Sequence, residues 1–168
     1  MEQAGHFEKV SFTQYCADMK SHFDDSISAL KGLYEAIRLP VRATAGSAGY
    51  DFVAPFSFIL RPGEAVTIPT GIRVQMEPGW FLGCFPRSGL GSRYQMRLAN
   101  TTGIVDSDYY YADNEGHIFA RVVNGSPDLT LRLQAGDKFM QGVFIPFGVT
   151  VDDDATAARR GGMGSTGA

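Results

Sequence analysis

Two stretches of this sequence place cations and hydroxyls beside glycine-rich backbone. Pro86-Arg87-Ser88-Gly89-Leu90-Gly91 sets a guanidinium and a hydroxyl ahead of two glycines. A planar guanidinium next to uncovered backbone N–H groups is a good cradle for a phosphate. The end of the chain repeats the theme, with Arg159 and Arg160 ahead of Gly161-Gly162-Met163-Gly164-Ser165-Thr166-Gly167. A third stretch offers a base. Asp106 follows the apolar run Gly103-Ile104-Val105, which is able to hold a carboxylate rigidly for proton abstraction from water. Each stretch also has a plainer reading. Asp106 and Asp108 suit the capping of a turn, Gly136-Asp137-Lys138 suits a hairpin, and a glycine-rich tail suits disorder. No GxxxxGK[ST] loop is present, which excludes the phosphate loop common among nucleoside triphosphatases.

The elements that must position these groups change character near Pro40. Before it the pattern is helical. Ser11 with Gln14 three residues on reads as a capping box, followed at helical spacing by Phe12, Tyr15, Cys16, Met19 and Phe23. A second helical pattern runs through Ile27, Leu30, Tyr34 and Ile37 and stops before Pro40. After it, Arg61-Pro62-Gly63-Glu64, Glu77-Pro78-Gly79 and Gln134-Ala135-Gly136-Asp137 are turn signals at strand-length intervals. Strands are expected over 56–60, 65–69, 72–76, 80–85, 118–123, 129–133 and 139–145, with a short helix inserted over 90–98. That spacing predicts an all-β sandwich or barrel rather than βαβ units. The division expected is a helical extension over 1–38, a β-barrel over 39–151 and a mobile arm over 152–168.

Composition sets the bounds. A chain of 168 residues, 44% hydrophobic and 20% charged, is sized for one domain with a real core. A net charge of −3 argues against broad nucleic-acid binding, so a triphosphate would need a local cluster of cations plus a metal. No run is long and apolar enough to cross a bilayer, and Met1–Val10 has no apolar signal region. Cys16 and Cys84 make no disulfide framework, and His6, His22 and His117 are scattered without zinc spacing. A reduced, cytoplasmic protein without membrane or nucleic-acid partners is expected.

Taken in order, five segments carry the chemistry: Ala45–Asp51, Pro86–Gly91, Asn100–Tyr109, Gly136–Gln141 and Gly161–Gly167. In content and order they resemble the five motifs of the trimeric dUTPase family, over about residues 39 to 167. The resemblance implies a jelly-roll-like β-barrel, a homotrimer with shared active sites, and magnesium-assisted hydrolysis of dUTP to dUMP and pyrophosphate. Such a reaction limits uracil in DNA and supplies dUMP for dTMP synthesis.

Roles follow residue by residue from that resemblance. Asp51 matches an aspartate that organises the water shell of Mg2+, which the triphosphate mainly holds. Arg87, Ser88 and Gly89 match the phosphate-binding segment, and Gln141 matches a glutamine near the phosphates and metal waters. Asn100 matches the contact to the uracil edge. Gly103, His117 and Ile118 belong to the hairpin whose backbone reads that edge. Asp106 matches the aspartate that orients the attacking water, so Asp106, Arg87 and Gln141 form the expected catalytic set. Tyr109 matches a tyrosine packed under the deoxyribose, where a 2′-hydroxyl would collide with it. Arg159 or Arg160, with Gly162, Met163, Gly164, Ser165 and Thr166, matches an arm that closes over the nucleotide in a neighbouring site.

The chain departs from the family pattern in four places. Tyr110–Asn114 intervenes before Glu115-Gly116-His117 as a five-residue lengthening of the third-motif hairpin. The N-terminal extension is longer than the family minimum. Met163 stands where the family has a phenylalanine over uracil, and a one-residue offset leaves Arg159 and Arg160 as alternatives. Two other functions fit the same scaffold: a dCTP deaminase-type enzyme, and a non-catalytic regulatory protein. The deaminase needs a glutamate in the later strands, and the regulatory reading needs a lost catalytic residue.

Overall fold

A computed structural model describes residues 2–20, 27–157, 159 and 161 of the chain. Its architecture is all-β and jelly-roll-like, with short helices at the N-terminus and one inserted among the strands. The first element is a strand, β1 (Gly5–Lys9), which the helical reading of the extension missed. Its period-two signal spans only five residues of mixed polarity, and pairing alone makes it a strand. It lies antiparallel to β6 (Ile72–Met76), with Phe7 opposite Val74.

Helix α1 (Phe12–Lys20) starts where Ser11 accepts the Gln14 amide on its hydroxyl at 3.1 Å. Tyr15 and Met19, one turn apart, are its buried face. Phe23, read as part of the same stripe, lies outside the described residues. Helix α2 (Ile27–Ala36) follows and buries Leu30. Val10, Tyr15, Met19, Leu30 and Ile37 join Phe52, Ile68, Leu82 and Phe139 in one hydrophobic cluster. The extension is therefore part of the barrel's core and not an appendage.

The barrel strands are β2 (Val41–Arg42), β3 (Tyr50–Val53), β4 (Phe58–Leu60), β5 (Ala65–Pro69), β6 and β7 (Trp80–Pro86). Helix α3 (Ser88–Tyr94) comes next, then β8 (Arg97–Leu98) and β9 (Gly103–Val105). A 3₁₀ turn (Ser107–Tyr111) leads to β10 (Phe119–Val123), β11 (Leu131–Leu133) and β12 (Lys138–Pro146). The three turn signals hold, with Gly63, Gly79 and Gly136 at φ of 79°, 84° and 92°.

Two sheets position the site. One runs β2-β3-β12-β7-β9 and the other β5-β10-β8. In the first, Gln141 lies opposite Asp51 on one side and Phe85 on the other. Met140 lies opposite Phe52 and Pro86, and Cys84 lies opposite Gly142 and Gly103. Side chains alternate across a sheet, so Asp51 and Gln141 share one face while Met140 and Cys84 share the other. The ladder between β12 and β3 carries a bulge between Lys138 and Met140.

Candidate active site

The first three phosphate-side residues converge at the end of this sheet. Asp51 is almost fully buried, at 4% exposure. A buried carboxylate needs cationic partners. Arg87 Nη1 donates to Asp51 Oδ1 at 2.5 Å, and Lys138 Nζ lies 2.8 Å from Oδ2 as a close ion pair. Arg87 follows β7 and is the N-cap residue of α3, whose Leu90 and Gly91 amides close onto the Arg87 carbonyl. The amides that open a helix have no partner within it, and here they belong to Ser88 and Gly89. Gln141 packs against the backbone of Gly49. A Cβ at Gly49 would fall 2.5 Å from Gln141 Oε1 and would push that amide aside. Lys138 was read only as part of a hairpin. Its role in pairing Asp51 depends on strand register, which residue type alone does not reveal.

The base-side residues assemble on the opposite face. A cavity of about 190 Å³ is lined by Asn100, Gly103, Val105 and Ile118, with Cys84 and Met140 beneath. β9 is the edge strand of its sheet, so its outer backbone edge borders this cavity. A Cβ on Gly103 would come 3.0 Å from Cys84 Cβ and crowd the floor. Burial pushes the Cys84 thiol up to about 12, which keeps the floor neutral. A second cavity of about 200 Å³, beside Ile37, Arg38 and Pro55, meets the five segments only at Gly136.

Asp106 follows β9 directly and begins the 3₁₀ turn. Its carbonyl accepts the Tyr109 amide, but its carboxylate makes no capping bond, against the plainer reading of an Asp pair that caps a turn. That carboxylate instead takes Arg159 Nη1 at 2.7 Å, with Asp108 at 3.4 Å from the same nitrogen. Burial alone would lower the Arg159 pKa, but the Asp106 and Asp108 carboxylates outweigh it and hold the guanidinium charged. Its Cζ lies 5.0 Å from the centre of the Tyr109 ring. Of the two alternatives, Arg159 is thus placed beside Asp106. Arg160, Gly162, Met163, Gly164, Ser165 and Thr166 lie outside the described residues.

Two hairpin residues, His117 and Ile118, are bonded into the scaffold. The His117 imidazole is fully buried away from the cavity, between Asp18 Oδ2 at 2.6 Å and the Gly71 amide at 2.7 Å. Its carbonyl accepts the Tyr109 hydroxyl at 2.7 Å. Ile118 lines the cavity, yet its amide goes to Ile72 and its carbonyl accepts from Thr70. Asn100, Gly103 and Ile104 also line the cavity. Tyr109 itself is buried at 1% exposure, its ring covered by Arg159.

A magnesium ion fits only in one way. Among the described residues no group of three or more His, Cys, Asp and Glu is arranged to hold a metal. Arg87 and Lys138 flank the Asp51 carboxylate. The chain thus suits a metal carried in by the phosphates and reached by Asp51 through water.

Comparison with known proteins agrees with this geometry. The sequence model of the dUTPase family matches residues 35–167. The deoxyuridine 5'-triphosphate nucleotidohydrolase of Lactococcus lactis is 40% identical over 135 residues, covering 79% of this chain and 89% of that protein. The dUTPase of Streptococcus mutans superposes with a TM-score of 0.64 at 34% identity, over 86% of this chain and 98% of that one. A mutant dUTPase from phage phi11 of S. aureus, solved for its coordination of a structural Mg(II) ion, shares the fold. Its TM-score is 0.58 at 23% identity, over 73% of this chain and 92% of that one. With the described residues of the first four segments gathered around one sheet and the match spanning all five segments, the chain belongs to the dUTPase family.

Proposed function

We propose that this protein hydrolyses dUTP to dUMP and pyrophosphate, by in-line attack of water on the α-phosphorus. The observation that carries the reading is a one-ring cavity whose edge strand ends at the Asp106 carboxylate, which Arg159 holds at 2.7 Å. Asp106 orients the water and takes its proton, a role worth ~10²–10⁴ in rate. Arg87, Ser88 and Gly89 hold the phosphates, and Gln141 stands beside them on the Asp51 face. Mg2+, brought by the triphosphate, would neutralise charge that builds on the phosphoryl oxygens. Asn100 and the β9 rim would select uracil, because a mismatched base leaves buried polar groups unpaired.

Assembly follows from the two faces. Asp51 and Gln141 point away from the face that bears Cys84 and Met140, the floor of the base cavity. The reading takes one face from each of two chains for one nucleotide. A homotrimer with shared sites, near three times 18.2 kDa, satisfies this requirement. The arm around Arg159 and Arg160 completes the site, and within one chain Arg159 rests on Asp106. A cytoplasmic setting suits Cys16 and Cys84, which are both free thiols.

Pyrophosphate release from dUTP, UTP, dTTP and dCTP, with and without magnesium, tests the reading. dUTP alone should be cleaved efficiently and only with the metal. Ammonia release from dCTP would favour the deaminase instead. Light scattering showing a fully active monomer would refute the shared site.

A further inference from the structure

The match to the dUTPase family begins at residue 35, and the Tyr110–Asn114 lengthening is a second departure from that family's pattern. In the structure these two departures hold each other. Glu8 Oε2 accepts the Tyr110 hydroxyl at 2.9 Å, and Arg73, paired with Glu8, lies 4.2 Å from the centre of the Tyr110 ring. Ser11 gives its amide and its hydroxyl to the Glu115 carboxylate, each at 2.7 Å. Asp18 on α1 takes His117 Nδ1 at 2.6 Å. The Gly71 amide can only donate, so His117 Nε2 is an acceptor and the ring proton sits on Nδ1, facing Asp18.

From there the path leads to the site. The His117 carbonyl fixes the Tyr109 hydroxyl, which also accepts from Asn114 Nδ2 at 2.8 Å. The next residue, Ile118, lines the base cavity. The turn between is tight. Gly116 has φ of 69°, and a Cβ there would fall 2.7 Å from the Tyr109 carbonyl oxygen. Glu115 sits at φ of 57°, a backbone that a non-glycine residue adopts only at a cost. Glycine would remove that cost and lose the carboxylate that holds Ser11.

We infer that Glu115 and His117, anchored by Ser11 and Asp18 of the N-terminal segment, are positioning residues for nucleotide binding. They touch no substrate. They hold the lengthened hairpin in the one arrangement that presents Tyr109 and Ile118 to the sugar and base. The inference rests on the proposed dUTP reading. Loosening the clasp lowers the fraction of chains with a formed pocket, which weakens apparent binding and leaves the chemistry of Asp106 unchanged once substrate is bound.

The test uses the full chain with Glu115→Ala, Glu115→Gln, Asp18→Ala and Asp18→Asn. Kinetics on dUTP and UTP, Tm, and hydrogen exchange at amides 110–118 are measured for each. The alanine variants should raise KM for dUTP about three- to tenfold, blur the preference for dUTP over UTP, and speed exchange across the hairpin. Their kcat should stay within about twofold, since the acting groups are untouched. Glu115→Gln and Asp18→Asn keep an acceptor and should behave close to wild type. Unchanged KM, selectivity and exchange in both alanine variants would overturn the inference. So would a fall in kcat that tracks Tm and is not rescued by Gln or Asn, which marks a purely structural role. Wild type inactive on dUTP would defeat the functional reading alone. The exchange comparison would still decide the clasp, because unchanged exchange would refute it.

Discussion

Ser11 donates its amide to Glu115 Oε2 and its hydroxyl to Glu115 Oε1, each at 2.7 Å and across 104 residues of sequence. In a capping box the side chain three residues into the helix returns to the first amide. Here Gln14 turns instead to Asp18, at 2.9 Å, and a carboxylate from the third-motif hairpin takes its place. Half of the box is local and half is tertiary. Ser11→Ala should therefore cost ~1 kcal/mol and lower Tm by ~2–4 °C, checked by thermal melts at neutral pH. A Tm unchanged from wild type would mean that Glu115 does not depend on the serine hydroxyl.

The same clasp should respond to acid. Burial would raise the Glu115 carboxyl, but the Ser11 amide and hydroxyl, with Arg73 and His117, hold it below its ordinary 4.5. The Tyr110 hydroxyl does the most to lower Glu8, which burial opposes. Both folded-state values are depressed, so the stability they give is present above the ordinary value and is lost as pH falls through the folded values. Tm should be level above about pH 5 and fall below it, and Glu115→Gln should fall less steeply. Parallel curves for the two proteins would remove Glu115 from the account.

Asp106→Asn should cut kcat by ~10²–10⁴ while a non-hydrolysable dUTP analogue binds nearly as before. The change also frees Arg159 from its 2.7 Å partner, so the arm should become more open to proteolysis in the empty protein. Retention of more than about a tenth of wild-type kcat would show that another group activates the water.

Arg159 lies over the Tyr109 ring, with the guanidinium carbon 5.0 Å from the ring centre. On the proposed reading a sugar would reach that ring only after Arg159 lifts. Arg159→Ala should lower kcat for dUTP by about 10²-fold, as loss of one charge-stabilising group does, and leave dUMP affinity nearly unchanged. Tyr109→Ala should raise UTP turnover relative to dUTP, at a stability cost of ~3 kcal/mol for emptying a buried aromatic site. A constant UTP to dUTP ratio would assign sugar selection to another residue.

Cys84 forms the floor of the base cavity and its thiol is pushed up to about 12 by burial. The thiolate is the reactive form, so Cys84 should resist alkylation at pH 8 in the folded protein and react on unfolding. Mass spectrometry after iodoacetamide treatment reads this directly. Rapid labelling of Cys84 in the native state would mean that the cavity floor opens.

Strands β5 and β6 fall on the spans expected from the turn triplets around Gly63 and Gly79. Those turns are legible because glycine at positive φ is a local requirement. β2, β8 and β9 were not legible, since two or three residues give too little alternation to see. In the site, Asp51, Arg87 and Gln141 were found by their order along the chain, and the structure gathers all three at one end of the sheet. That the His117 imidazole is bonded into the scaffold was not legible, because residue type does not reveal which way a ring points. Its partners, Asp18 and Gly71, lie 99 and 46 residues away. Lys138 was missed for the same reason.

The bulge in β12 has a consequence for charge. In an unbroken ladder Lys138 would face Ala54 and extend on the Met140 side. The one extra residue sets it opposite Val53 instead, and so on the side of Asp51. The second cation on the buried carboxylate depends on that break in the pairing. Straightening the ladder with all its residues kept would turn the ammonium to the far face and leave Asp51 with Arg87 alone. A protein with every motif residue intact would then lack one positive charge beside Asp51, a defect of register and not of composition.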